Sequence, residues 1–181
     1  MSMNNPGCDT AQPLLEPITG DEGALRAIYG EFPTGVTAVC ALVGGVPAGI
    51  AASSFVPVSL VPPLVSVCAQ HTSATWPLLR AAPRLGISVL AEEQRVQCRS
   101  LGRKTGDRFG QVRWVANDGG AVFVHGATAW FDCVITAEVP AGDHSIVLLE
   151  VAAARAVGES SPLVFHRSRF WRLNAAVDRA G

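Results

Sequence analysis

Apolar residues along this chain recur in short blocks rather than at helical spacing. Val36–Val43, Leu64–Ala69 and Leu85–Leu90 are runs rich in Val, Ile, Ala and Leu, with the length and composition of buried strands. Gly44-Gly45 follows the first run and predicts a hairpin turn into Val46–Ile50, because glycine accepts the positive φ that such turns require. Gln111–Val115, Ala121–Val124, Ala127–Glu138, Ser145–Val157 and Leu163–His166 carry Val, Ile, Phe and Trp between Gly, Asn, Asp and Pro turns, and predict further strands. Helical signals are few. Asp21 or Thr19 can cap a helix over Ala24–Tyr29, which Gly30 and Pro33 stop. Ser73 or Thr75 can cap a second, running to about Ala81 with Pro77 in its first turn and Pro83 closing it. A third is expected from Glu92 to about Leu101. Six or more strands without regular strand-helix alternation favour a mainly β fold with short helices, an antiparallel barrel rather than a doubly wound parallel sheet.

Composition sharpens this picture. Of 181 residues, 49% are hydrophobic and only 16% charged, so much apolar surface must be covered, and part of it is expected to be buried between two copies in a homodimer. A net charge of -1 and the lack of a long basic cluster exclude nucleic acid as a partner. No uninterrupted apolar stretch reaches the ~18 residues of a membrane span, and no leader pattern opens the chain, so a soluble cytoplasmic protein is expected. Residues 21–175 read as one domain, preceded by a flexible arm over residues 1–20 and followed by a tail over residues 176–181.

Cys8, Cys40, Cys68, Cys98 and Cys133 show no Cys-x-x-Cys spacing, which argues against a zinc knuckle or a disulfide framework and fits a reducing compartment. His71, His125, His144 and His166 show no metal-ligand spacing. No Gly-x-Gly-x-x-Gly joins a strand to a helix, so a Rossmann-type nucleotide site has no support, and there is no nucleophile elbow.

Small residues and hydroxyls concentrate instead in Gly49–Leu64, where Ala51, Ala52, Ser53 and Ser54 offer approachable amides and hydroxyls, and Phe55 with Val56-Pro57-Val58 an apolar wall. Such a loop suits a phosphate-bearing ring cofactor, which needs donors at its phosphate and rim and a wall against one ring face. Thr72-Ser73-Ala74-Thr75-Trp76 places hydroxyls and amides at a helix start, where an anion is welcome. Taken singly, each block has an ordinary structural explanation as a strand end, a helix cap or a turn.

Together with Phe32-Pro33-Thr34-Gly35-Val36-Thr37 and Gly142-Asp143-His144, these blocks resemble, in order, the flavin reductase-like domain of short-chain NAD(P)H:flavin oxidoreductases, from about Leu25 to Leu173. That family includes the reductase components of two-component flavin-dependent monooxygenases. The resemblance implies a split β-barrel that dimerises, an FMN or FAD cofactor, NADH or NADPH as co-substrate, and a partner oxygenase fed by flavin transfer. It assigns Thr34, Ala51, Ala52, Ser53, Ser54, Phe55, Thr72, Ser73 and Ala74 to the flavin, and Gly142, Asp143, His144 and Ser145 to the nicotinamide, with His144 orienting the ring. Arg103, Lys104 and Arg108 form a basic group that suits phosphates. Near the end, His166-Arg167-Ser168-Arg169-Phe170 resembles a family segment ending His-Arg-Gly-x-Tyr, with Ser168 in place of Gly and Phe170 in place of Tyr. A non-enzymatic flavin- or haem-binding protein on the same barrel is the alternative, which has no need of Gly142-Asp143-His144.

Overall fold

The computed structural model describes residues 15, 17–18, 20–157 and 160–173. Nearly all of the expected arm and the whole expected tail lie outside the described residues. The first element among the described residues is α1 (Glu22–Tyr29), whose cap is Asp21: its carboxylate accepts from the N–H groups of Gly23 and Ala24. Gly30 ends it, as expected.

Among the described residues seven strands make the main sheet: β2 (Thr37–Val43), β3 (Val46–Ala52), β4 (Val56–Leu60), β5 (Pro63–Gln70), β6 (Leu85–Val89), β9 (Ala129–Ala141) and β10 (His144–Ala156). They pair antiparallel in the order β3-β2-β6-β9-β10-β5-β4. β7 (Trp114–Ala116) and β8 (Val122–Val124) form a separate hairpin, and β1 (Thr34–Gly35), β11 (Val164–His166) and β12 (Arg169–Trp171) a three-stranded sheet. The Gly44-Gly45 turn between β2 and β3 has φ of +58° and +81°, the left-handed backbone that glycine adopts without strain.

β3 and β4 stand at opposite ends of the pairing order, yet only Ser53, Ser54 and Phe55 separate them in the chain. Four residue steps reach at most about 14 Å. Seven strands laid flat would hold their outer members about 29 Å apart. The sheet must therefore curl until its two ends meet at this corner. Among the described residues no hydrogen-bonded ladder joins β3 to β4, so the pairing itself does not close a barrel.

One apolar cluster fills the inside of the curl, including Val39, Val65, Val67, Ile87, Val147 and Leu149, and it is plugged by Trp76 and Leu79 from α2 (Trp76–Arg80). Burying Leu79 completely stabilises the docked helix by about 1.5–3 kcal/mol, which fixes the Thr72–Ala74 segment just before it. A second cluster lies on the other face of β2 and β6, where α3 (Arg95–Leu101), β8 and Leu163 pack. Gly86 permits this layer, since a Cβ there would collide with the Val122 backbone.

Several expected boundaries move. α3 begins at Arg95 rather than Glu92 because the Gln94 side chain accepts from the Ala91 N–H and donates to the His125 carbonyl, holding residues 91–94 in a turn. The expected loop after Ala52 contains an edge strand, β4, with a register shift between Pro57 and Ser59. Proline is tolerated there because one side of an edge strand needs no N–H.

Candidate active site

A cleft of about 570 Å³ opens where the end of β3, the end of β5, the start of α2 and the loop after α3 converge. Among the residues expected to bind flavin, Ala51, Ala52, Ser53, Thr72, Ser73 and Ala74 line it, and His144 lines it from the start of β10. Segments far apart in sequence thus meet in one place.

Alternation along the strands explains how. In the ladder, His144 stands opposite Gln70 and Ile146 opposite Cys68, and residues two apart on a strand share a face. Gln70, Cys68 and His144 therefore look outward into the cleft, whereas Val67, Ala69 and Val147 face the core. Ser145 falls on the opposite face from His144 and does not line the cleft. Gly142 and Asp143 form the turn between β9 and β10, with Gly142 at φ +64°.

Asp143 carries its carboxylate 2.8 Å from Nδ1 of His144. That hydrogen bond holds the Asp143 carboxyl below the usual aspartate value. It also sets the orientation of the imidazole. The same turn is gripped by a residue the sequence reading left unassigned: the His71 N–H donates to the Asp143 carbonyl at 3.0 Å, and Nε2 of His71 lies 3.1 Å from the Ser145 hydroxyl.

At the α2 end, the side-chain cap is Ser73 rather than Thr75. The Ser73 hydroxyl accepts from the Trp76 N–H at 3.2 Å. Thr75 makes no cap; its hydroxyl accepts instead from Nη1 of Arg108 at 2.6 Å. Arg108 also donates to the Gly49 carbonyl at 3.0 Å, which ties the loop after α3 to β3.

Arg103, Lys104 and Arg108 all line the cleft, and no acidic side chain does among the described residues. In a chain of net charge -1, this is a local concentration of positive charge suited to a phosphate. The loop holding these residues has no strand or helix pattern, so only the fold reveals which way they face. Cys68, Gln70, Ile50 and Leu101 are further cleft residues that the sequence reading did not select. For Cys68 and Gln70 the signal was present in the period-two pattern of β5.

Three of the expected residues make contacts within the fold. Ser54 accepts from the Cys68 N–H at 2.8 Å, Phe55 packs on Phe131 with ring centroids 5.5 Å apart, and Thr34 pairs with Phe165 between β1 and β11. None of these side chains lines the cleft. Burial disfavours the thiolate form of three cysteines: desolvation pushes Cys40 and Cys133 up to about 12 and Cys98 up to about 11.

The sequence of residues 29–174 matches the flavin reductase like domain model. The chain belongs to that family. It is 33% identical over 150 residues to the reductase subunit HsaB of a flavin-dependent monooxygenase from Rhodococcus jostii, covering 83% of this chain and 77% of that one. It is 36% identical over 146 residues to a flavin reductase of Pseudomonas putida, covering 80% and 86%. In three dimensions it superposes with a TM-score of 0.83 on the NADH:FAD oxidoreductase of Streptomyces globisporus, solved with NAD and FAD fragments, at 36% identity, covering 92% of this chain and all (100%) of the other.

Proposed function

We propose that this protein is an NAD(P)H:flavin oxidoreductase that binds FMN or FAD, accepts hydride from NADH or NADPH, and supplies reduced flavin to a separate monooxygenase. The observation that carries the reading is the meeting of the Ala51–Ser53 strand end, the Thr72–Ala74 segment, His144 and three cations in one cleft. The donor set fits the group: hydroxyls and guanidinium and ammonium charge for a phosphate, small residues that let backbone approach a ring, and an imidazole from the start of β10.

Arg103, Lys104 and Thr72 hold the phosphate, Ala51 to Ser53 border the ring, and His144, oriented by Asp143, positions the nicotinamide. Bound flavin supplies the two-electron acceptor; the chain supplies alignment, and positioning two reactants in one site removes much of the entropic barrier. His144 needs no proton transfer for this role.

The fold is read as a split barrel, in keeping with the curl that brings β3 to β4. A homodimer is the expected assembly. Val56, Val139 and Ile146 are exposed on β4, β9 and β10, and Ile146 shares the outward face with Cys68 and His144 at the cleft. A second copy seated there would bury these side chains and cover the open side of the site. The free thiols Cys40, Cys98 and Cys133 suit a reducing cytoplasm, and among the described residues no helix is long and apolar enough to cross a membrane. One turnover assay tests the function: purified protein with NADH or NADPH should oxidise it only when FMN or FAD is added. Nicotinamide left unoxidised with either flavin would overturn the reading.

A further inference from the structure

Beyond Arg108 lies a second cavity, of about 540 Å³, walled by Val46, Pro47, Ala48, Leu78, Phe109 and Trp114. Leu78 and Trp114 remain 48% and 37% exposed there, and the hydride-transfer site described above uses neither. The two cavities meet along a seam. Ile50 and Ala74 line the first, their chain neighbours Gly49 and Thr75 line the second, and Arg108 lines both.

Arg108 makes its hydrogen bonds to Gly49 and Thr75 from Nη1 alone. Among the described residues Nε and Nη2 have no acceptor, so their N–H groups are left for an anion lying on the seam. The acid of the second cavity, Asp107, is turned back on its own loop, where it accepts from the N–H groups of Phe109 and Gly110 at 2.8 and 3.0 Å. The arrangement is a cationic seam with a phosphate-ready cleft on one side and an apolar, aromatic-walled cavity on the other.

We propose that the second cavity receives the adenosine end of a dinucleotide whose pyrophosphate lies on Arg108. The inference rests on the flavin reading of the first cleft and extends it. FMN stops at its phosphate and leaves the second cavity empty; a dinucleotide continues across the seam and stacks its purine against apolar and aromatic walls. FAD and the nicotinamide dinucleotides share this adenosine diphosphate half, so the chemistry is common to both and the test separates them.

The test is direct binding without turnover, with FMN and FAD followed by flavin fluorescence and NADH by its own, in the parent, Leu78→Glu and Trp114→Ala. Both variants should bind FMN within about twofold of the parent and bind a dinucleotide about tenfold more weakly. A loss confined to FAD assigns the cavity to the flavin's adenosine; a loss confined to NADH assigns it to the nicotinamide dinucleotide. Leu78 is half exposed, so Leu78→Glu keeps the test open even if Trp114→Ala fails to fold. Variants that bind FMN, FAD and NADH like the parent overturn the inference while leaving the first cleft intact. A parent that binds no FMN sinks the flavin reading itself.

Discussion

The hydroxyl of Ser54 accepts the backbone N–H of Cys68 at 2.8 Å, and this one bond pins the corner where the two ends of the sheet meet. Ser54 sits in the three-residue link between β3 and β4, and Cys68 lies on β5, the strand paired with β4. Replacing Ser54 by Ala leaves a partly buried amide without its partner, at a cost of about 1–3 kcal/mol. Ser54→Ala is therefore expected to lower the unfolding midpoint in urea while flavin affinity changes less than stability does. Parental stability with lost flavin binding would return Ser54 to the ligand.

His144 lines the cleft from the start of β10, and its ring is oriented by Asp143. His144→Ala should slow reduction of bound flavin by NADH about ten- to a hundredfold and leave flavin affinity within a few fold, because a positioning contact is lost on the nicotinamide side only. Asp143→Asn should act in the same direction more weakly. The carboxyl of Asp143 is held below its usual value, first by its hydrogen bond to His144, so the carboxylate that orients the ring is fully charged above the ordinary aspartate range and loses its charge as pH falls through the lowered value. The part of the nicotinamide dependence that rests on the Asp143 charge should thus be lost only below the ordinary aspartate range. Stopped-flow reduction across pH checks both statements; an unchanged rate in His144→Ala would leave that imidazole a purely structural part of the turn.

The β11–β12 hairpin turns through Arg167 and Ser168 with φ of +48° and +60°. Left-handed backbone costs a residue with a Cβ about 1–2 kcal/mol, which gives a physical reason for the glycine at the corresponding place in the family segment. Arg167 is held by paired contacts to Glu31, at 2.8 and 2.6 Å. Ser168 makes no such contact among the described residues. Ser168→Gly should raise the thermal midpoint by about 2–4 °C with activity unchanged, read by calorimetry; a fall in the midpoint would mean that the serine side chain supports the turn.

How much of this was legible in the sequence differs by element. β2 and β6 announce themselves as continuous apolar runs because both of their faces are buried, and β5, β9 and β10 through the apolar side chains that each turns to the core. β4 does not: its Val56, Val58 and Leu60 are largely exposed, its Pro57 reads as a strand breaker, and its edge position is a property of the whole sheet. β1 and β12 are too short for alternation to register. At the site, the hydroxyl-rich blocks and His144 could be chosen from the chain, since their residue types suit the chemistry. The facing directions could not. Ser54 and Ser53 are neighbours in sequence, yet one side chain serves β5 and the other lines the cleft. Arg103, Lys104 and Arg108 read as a solvated loop until the bonds from Arg108 to Gly49 and Thr75 fold that loop over the site. His71 gave no signal either, because its role depends on the hairpin that β5 happens to adjoin.

The central claim is that this cleft holds the flavin while nicotinamide reduces it. Ala74 lines the cleft and is exposed, so Ala74→Trp should fill the site without disturbing the core. The decisive measurement mixes FMN-loaded protein with NADH in the absence of oxygen and follows the bleaching of flavin absorbance. The parent should bleach in a single protein-dependent phase, and folded Ala74→Trp should neither bind FMN nor accelerate its reduction. A folded Ala74→Trp that bleaches FMN at the parental rate would contradict the account and place the reaction elsewhere on the molecule.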